Sequence, residues 1–161
     1  MNKKIIFSSG GTGGHILPAI HLMNHFSEKG YEVLLVTDYR GKKLVIFFYP
    51  KANTPGCTAQ ACNLRDNYQK FISSGYDVLG VSADDKNRQS NFKKKFNFPY
   101  KLLCDVEKKI INSYGVWSLK KFMGREYMGI LRTTFIIDEK GIITNIIDKV
   151  KTRDHTNQIL D

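Results

Sequence analysis

The stretch LVIFFYPKANTPGCTAQAC, residues 44–62, decides the fold. From Leu44 to Tyr49 it is apolar without interruption, and Pro50 ends the run. A short continuous apolar run of this kind reads as a strand buried on both faces, as in the interior of an α/β sheet, and proline stops it because it has no N–H for the ladder. After a loop at 50–56 the pattern predicts a helix over residues 57–73. Cys57 therefore stands where a strand has ended and a helix is beginning.

Downstream the alternation continues. Residues 77–82 read as a strand, 86–96 as a helix, 101–104 as a short strand and 107–114 as a helix. Residues 132–137 and 142–150 form an antiparallel hairpin around Asp138, Glu139, Lys140 and Gly141, and 155–160 a terminal helix. This order predicts an α/β protein with a thioredoxin-like fold: a central mixed sheet, flanked by helices, whose last pair is antiparallel.

Upstream, residues 3–7 read as a strand and 8–14 as a loop that only glycine-rich sequence turns so tightly. A helix over 16–29 places Ile16, Ile20, Met23 and Phe26 near one face and stops at Gly30, and 31–36 gives a second strand. The chain thus divides into a short βαβ Rossmann-like fragment, 1–41, that is not expected to stand as an independent domain, and one domain over 42–161.

Composition narrows the function classes. With 161 residues, 42% of them hydrophobic and 25% charged, the chain matches ordinary globular proteins and not disordered, collagen-like or disulfide-scaffold ones. No apolar run approaches the roughly 18–20 residues that span a bilayer. The opening MNKKIIFSSGGTGGH breaks into glycines before a signal-peptide core forms, so a cytoplasmic protein is expected. The net charge of +10 is spread over scattered lysine pairs, with Lys93, Lys94 and Lys95 the longest run and no aromatic-and-glycine RNA motif beside them. A solvated basic surface that draws anionic partners over a long range is expected, and no nucleic acid.

Three cysteines in a chain without an export signal argue against structural disulfides and for catalysis, metal binding or burial. At the start of a helix, backbone N–H groups and the positive end of the dipole favour an anion, which makes Cys57 the expected thiolate. Thr54 can offer a hydroxyl hydrogen bond there, and Pro50 and Pro55 fix the loop. A thiolate that attacks a peroxide becomes a sulfenic acid, which a neighbouring thiol can trap as a disulfide. Cys62 is the candidate for that second thiol. Five residues of helix rise about 7.5 Å, too far for a disulfide, so the first turns must unwind if the pair is to bond. Two buried helix thiols with no such chemistry remain the alternative. A zinc site would need a second ligand pair nearby, and His155 and Cys104 lie far along the chain. Cys104 ends the short apolar stretch YKLLC and reads as a buried small residue. No metal or cofactor is expected.

These motifs carry a resemblance. LVIFFYPKANTPGCTAQACNLRDNY, GYDVLGVSAD, KFNFPYKLLCD and YGVWSLKKFMGREYMGILRTTFIIDEKG resemble, continuously over about 120 residues, the bacterioferritin comigratory protein or PrxQ class of peroxiredoxins. The class signature of proline, threonine and cysteine falls on Pro50, Thr54 and Cys57, and its resolving cysteine on Cys62. The resemblance implies that Arg132, in the stretch LRTTF, is the active-site arginine; a guanidinium stays charged at any working pH and can hold a thiolate and polarise peroxide oxygens. It further implies a thiol-dependent peroxidase acting on hydrogen peroxide and organic hydroperoxides, recycled by thioredoxin, as a monomer or weak dimer.

The front end differs. IIFSSGGTGGHILPA, residues 5–19, is similar to the start of the MurG N-acetylglucosaminyltransferases. Glycines before a helix can cradle a diphosphate on backbone N–H groups, which marks residues 10–15 as a candidate diphosphate loop. The stretch TDYRGK, residues 37–42, fits both families, so the sequence reads as a fusion with its junction over 37–41. Two further readings follow from the fusion: an inactive thioredoxin-like product, or a transferase fragment that binds a lipid diphosphate.

Overall fold

The computed structural model describes residues 4–8, 32–36, 39, 41–122 and 124–161. The expected glycine loop, the helix over 16–29 and the candidate diphosphate loop at 10–15 lie outside the described residues. The two flanking strands are β1 (Lys4–Ser8) and β2 (Glu32–Val36), paired in parallel with Lys4 opposite Glu32 and Ser8 opposite Val36. They form a sheet of their own.

The main sheet has five strands. The apolar run becomes β3 (Lys43–Phe48), followed by helices α1 (Pro55–Asp66) and α2 (Tyr68–Ser73), strand β4 (Tyr76–Ser82), helix α3 (Lys86–Phe96) and strand β5 (Lys101–Cys104). Helix α4 (Lys109–Ser113) leads to β6 (Trp117–Phe122) and β7 (Arg125–Ile130), then β8 (Thr133–Ile137), β9 (Ile143–Ile147) and helix α5 (His155–Leu160). The strand order is β5-β4-β3-β8-β9, parallel on the β4 side of β3 and antiparallel on the β8 side. This is the thioredoxin-like α/β arrangement with a mixed central sheet.

β3 sits in the middle, and its alternation feeds two cores. Val45, Phe47 and Tyr49 pack with Ala61 and Leu64 of α1, Phe71 of α2, Phe92 of α3 and Ile159 of α5. Leu44, Ile46 and Phe48 pack on the opposite face with Ile111 of α4, Val116, Ile130 and Phe135. Because successive side chains point to opposite faces, a strand covered on both sides must be apolar at every position, which is why the run is unbroken. Next to β3, Gly80 of β4 leaves room for Phe47: a Cβ there would stand 2.8 Å from Phe47 Cζ and 2.6 Å from Leu102 Cδ2.

One expected helix needs correction, and one stretch that carries no expectation forms a hairpin. The single helix over 57–73 is two helices, because at Asn67 the side-chain Nδ2 donates to the carbonyl of Asn63 at 2.9 Å and competes with the backbone ladder. Residues 117–130, left unassigned by the sequence pattern, form the antiparallel hairpin β6–β7, in register from Trp117 opposite Ile130 to Phe122 opposite Arg125. Its two-residue connection contains Gly124 at φ 78°, the left-handed backbone that a tight hairpin demands. Among the described residues no helix is long and apolar enough to cross a membrane.

Candidate active site

The site lies where β3 runs out. β3 and β8 pair with Phe48 opposite Thr133, and continuing that register sets Arg132 across from Tyr49, at the point where the chain leaves the sheet for the loop 50–54. The loop returns as α1, with Thr54 as N-cap residue in extended backbone (φ −87°, ψ 151°) and Pro55 as the first helical residue. Proline suits that place because its missing N–H has no partner in the first turn. Cys57 thus occupies the first turn of α1, and it is only 1% exposed.

Arg132 reaches it from the sheet. Its Nη2 lies 3.3 Å from Cys57 Sγ, and its Nη1 donates to Gln60 Oε1 at 2.6 Å. One guanidinium therefore bridges two side chains on the same face of α1, three residues apart. Gln60 is fully buried and was not singled out from the sequence; its spacing from Cys57 on a helix is the signal that would have pointed to it. Gly56 gives the arginine its space, since a Cβ there would stand 3.3 Å from Arg132 Nη2. Thr54 Oγ1 donates to the carbonyl of Lys51 at 2.9 Å, which closes the loop on itself. Pro50 is half-buried at the loop's start.

A buried polar network fastens the loop to the sheet. The N–H of Ala52 donates to Asp84 Oδ2 at 2.7 Å, and the same oxygen accepts from Ser82 Oγ at 2.9 Å. Gln89 Nε2 donates to Ser82 Oγ at 2.8 Å, and Gln89 Oε1 accepts from the hydroxyl of Tyr49. Burial raises the Tyr49 hydroxyl above its usual range, against its hydrogen bonds to Ser82 and Gln89, so it stays a neutral donor. Asn53, beside this anchor, is held at φ 62°. None of Tyr49, Ser82, Asp84 and Gln89 was assigned a role from the sequence, although VSAD was part of the recognised stretch.

Cys62 lies one and a half turns further along α1, half-buried, and no disulfide joins it to Cys57. Burial pushes its thiol up, with Arg65 opposing and Asp66 adding. Cys104, at the end of β5, is also half-buried, and burial together with Asp85 and Asp84 raises it. The structure therefore brings Pro50, Thr54, Cys57 and Arg132 to one end of the sheet and holds Cys62 on the same helix with its thiol turned elsewhere. Among the described residues no three His, Cys, Asp or Glu side chains converge as a metal site.

Fold and site define a thiol-based oxidoreductase of thioredoxin-like architecture. The AhpC/TSA family model matches residues 14–146, a span that starts inside the glycine-rich front end. Peroxiredoxin Bcp of Bacillus subtilis is 44% identical over 129 residues, covering 80% of this chain and 82% of its own. Peroxiredoxin Bcp of Escherichia coli is 40% identical over 148 residues, 92% of each chain. Among solved structures, the Xanthomonas campestris bacterioferritin comigratory protein, studied for alkyl peroxide reduction, superposes with a TM-score of 0.72 at 32% identity over 76% of this chain and 77% of its own. The chain belongs to the AhpC/TSA family, in its Bcp/PrxQ peroxiredoxin class, and is a thiol-dependent peroxidase.

Proposed function

We propose that Cys57 is the peroxide-attacking thiolate, that Arg132 holds it and the substrate, and that Cys62 resolves the oxidised form for reduction by a thioredoxin-type dithiol. The observation that carries this reading is the 3.3 Å approach of Arg132 Nη2 to Cys57 Sγ in the first turn of α1. The sulfur attacks the nearer oxygen of ROOH, an S–O bond forms as the O–O bond breaks, and the leaving alkoxide takes a proton as ROH. Charge builds on the peroxide oxygens as that bond breaks. A guanidinium and the N–H groups of a helix start are fixed donors already aimed at the place where it appears. Thr54 Oγ1 lies at the same loop end and supplies a hydroxyl to the incoming peroxide, while Pro50 sets the course of the loop.

Hydrogen peroxide and organic hydroperoxides are the proposed substrates; alkyl peroxide reduction by the Xanthomonas relative supports the second class. The test is a pair of variants in a thioredoxin-coupled assay. Cys57→Ser should abolish turnover, and Cys62→Ser should retain one round of peroxide reduction that thioredoxin sustains poorly. Normal turnover by Cys57→Ser would remove Cys57 from the chemistry.

The domain division belongs to the same proposal: residues 1–41 form an appended fragment resembling the start of MurG, and 42–161 carry the peroxidase. Support comes from β1 and β2, which pair with each other and not with the five-stranded sheet. A chain starting at residue 38, which keeps Tyr39 in the core beside Leu44 and Phe48, should keep peroxidase activity.

A further inference from the structure

The turn of α1 that carries Cys62 is fastened from three directions. The carbonyl of Ala61 accepts from the buried hydroxyl of Tyr100 at 2.6 Å, and Arg65 Nη1 donates to the carbonyl of Phe96 at 2.8 Å. Between them Asn63 reaches the start of α5. Its Oδ1 accepts from the backbone N–H and from Oγ1 of Thr156, each at 2.8 Å, and its Nδ2 donates to the carbonyl of Arg153 at 3.0 Å. Thr156 is 2% exposed, so its two bonds to Oδ1 are partly shielded from water, whereas the bond to the Arg153 carbonyl lies at the surface. Asparagine is among the weaker helix formers, and α1 has no local need of one at this position. What Asn63 contributes is the tie between the residue after Cys62 and a segment some ninety positions away.

We propose that Asn63 is a latch that holds the Cys62 turn against α5 in the thiol state, and that its release gates formation of the Cys57–Cys62 disulfide. The proposal rests on the reading of Cys62 as the resolving thiol. On a regular helix two residues five apart are displaced by about 7.5 Å and face directions about 140° apart. Cys57 faces Arg132, whereas Cys62 lies among Arg65, Asp66 and Tyr100. A disulfide needs its Cβ atoms about 3.5–4.5 Å apart. Turning Cys62 toward Cys57 rotates the peptide that it shares with Asn63, and neither the three side-chain bonds to residues 153–156 nor the 3.3 Å bond from Thr156 Oγ1 to the Asn63 carbonyl can follow.

The chemistry makes the timing matter. In resolution the Cys62 sulfur attacks the sulfur of the Cys57 sulfenic acid; the S–S bond forms, the S–O bond breaks, and the oxygen leaves as water with the Cys62 proton. While the latch is closed, the sulfenic acid waits. A second ROOH then has time to oxidise it to sulfinic acid, releasing ROH. The latch thereby sets the peroxide concentration at which the enzyme inactivates itself.

The experiment uses the full chain, hydrogen peroxide, rapid quenching with a thiol alkylator and intact-protein mass measurement. Asn63→Ala removes all three bonds and should speed disulfide formation on the order of ten-fold, raising by a similar factor the peroxide needed for half over-oxidation. The rate of the first oxidation of Cys57 should not change, a split that a merely loosened fold would not produce. Thr156→Val removes only the hydroxyl donor and should give a milder rise of about three-fold. Unchanged disulfide rates in these variants would overturn the latch, showing that the Cys57 turn unwinds while the Cys62 turn stays docked. A wild-type product with Cys57 bonded to Cys104, or left as sulfenic acid, would overturn the reading of Cys62 before any variant is compared, and the latch with it.

Discussion

Arg132 touches Cys57 and Gln60 with two different nitrogens, at 3.3 and 2.6 Å, and that fork holds the edge of the guanidinium against the thiol. Gln60 can serve only one way round: arginine has no acceptor, so Oε1 must face it, and Nε2 is left buried without a hydrogen-bond partner among the described residues. An unpaired buried donor costs about 1–3 kcal/mol, and the arrangement tolerates that cost where the amide orients the arginine. Arg132→Met should therefore lower the second-order rate with peroxide by on the order of 100-fold, as removal of a positioned donor does, while the chain still folds. Arg132→Lys should recover little of the loss, since an ammonium keeps the charge but has no planar fork to span sulfur and amide together. Stopped-flow oxidation of the reduced variants at pH 5–8 measures both; an unchanged rate in Arg132→Met would take the arginine out of the reaction.

In the proposed cycle helix α1 serves as an anchor in the reduced protein and comes apart on oxidation. Hydrogen exchange should show amides 58–65 protected in the reduced protein and exchanging much faster after oxidation, while β3 and β8 stay protected in both. Equal protection of α1 in the two states, with a Cys57–Cys62 bond confirmed by mass, would rule out local unfolding. That α1 begins beside Cys57 was legible in the sequence, because an apolar run, a proline and a cysteine at fixed spacing are local signals. Helix α3, strand β5 and helix α5 were legible for the same reason and hold their expected bounds. The hairpin β6–β7 was not, since Leu119, Tyr127 and Met128 are exposed and blur the alternation that marks a half-buried strand. Nor was the site's support: Gln60 meets Arg132 across 72 positions and Tyr49 meets Gln89 across 40, pairings that only the folded sheet creates.

At the scale of the whole molecule, a buried imidazole adds a hydrogen-bonded link between the sheet and the C-terminal helix, beside the packing of Ile159 on β3. His155, 0% exposed at the start of α5, meets Thr134 Oγ1 of β8 at 2.8 Å through Nε2 and Gln158 Oε1 at 3.2 Å through Nδ1. The Gln158 oxygen can only accept, so the neutral ring carries its proton on Nδ1 and takes a hydrogen bond from Thr134 on Nε2. Burial, reinforced by the positive charge of Arg132 and opposed by the bond to Gln158, lowers the pKa of His155 from 6.5 to about 4. Between those two values the unfolded chain binds a proton on this residue that the folded chain refuses, so stability is complete above about pH 6.5 and falls as the pH drops toward 4. From pH 7 to pH 5 the loss attributable to His155 is about 2 kcal/mol, taking about 1.4 kcal/mol for each pH unit below 6.5. Urea unfolding of the wild type and of His155→Gln at pH 7 and pH 5 isolates it, because the carboxylates and the other histidines contribute to both proteins alike. The wild type should lose about 2 kcal/mol more than the variant over that interval. Equal losses would mean that His155 is protonated in the folded chain at pH 5, and that the tie between β8 and α5 tolerates a charge at the heart of the domain.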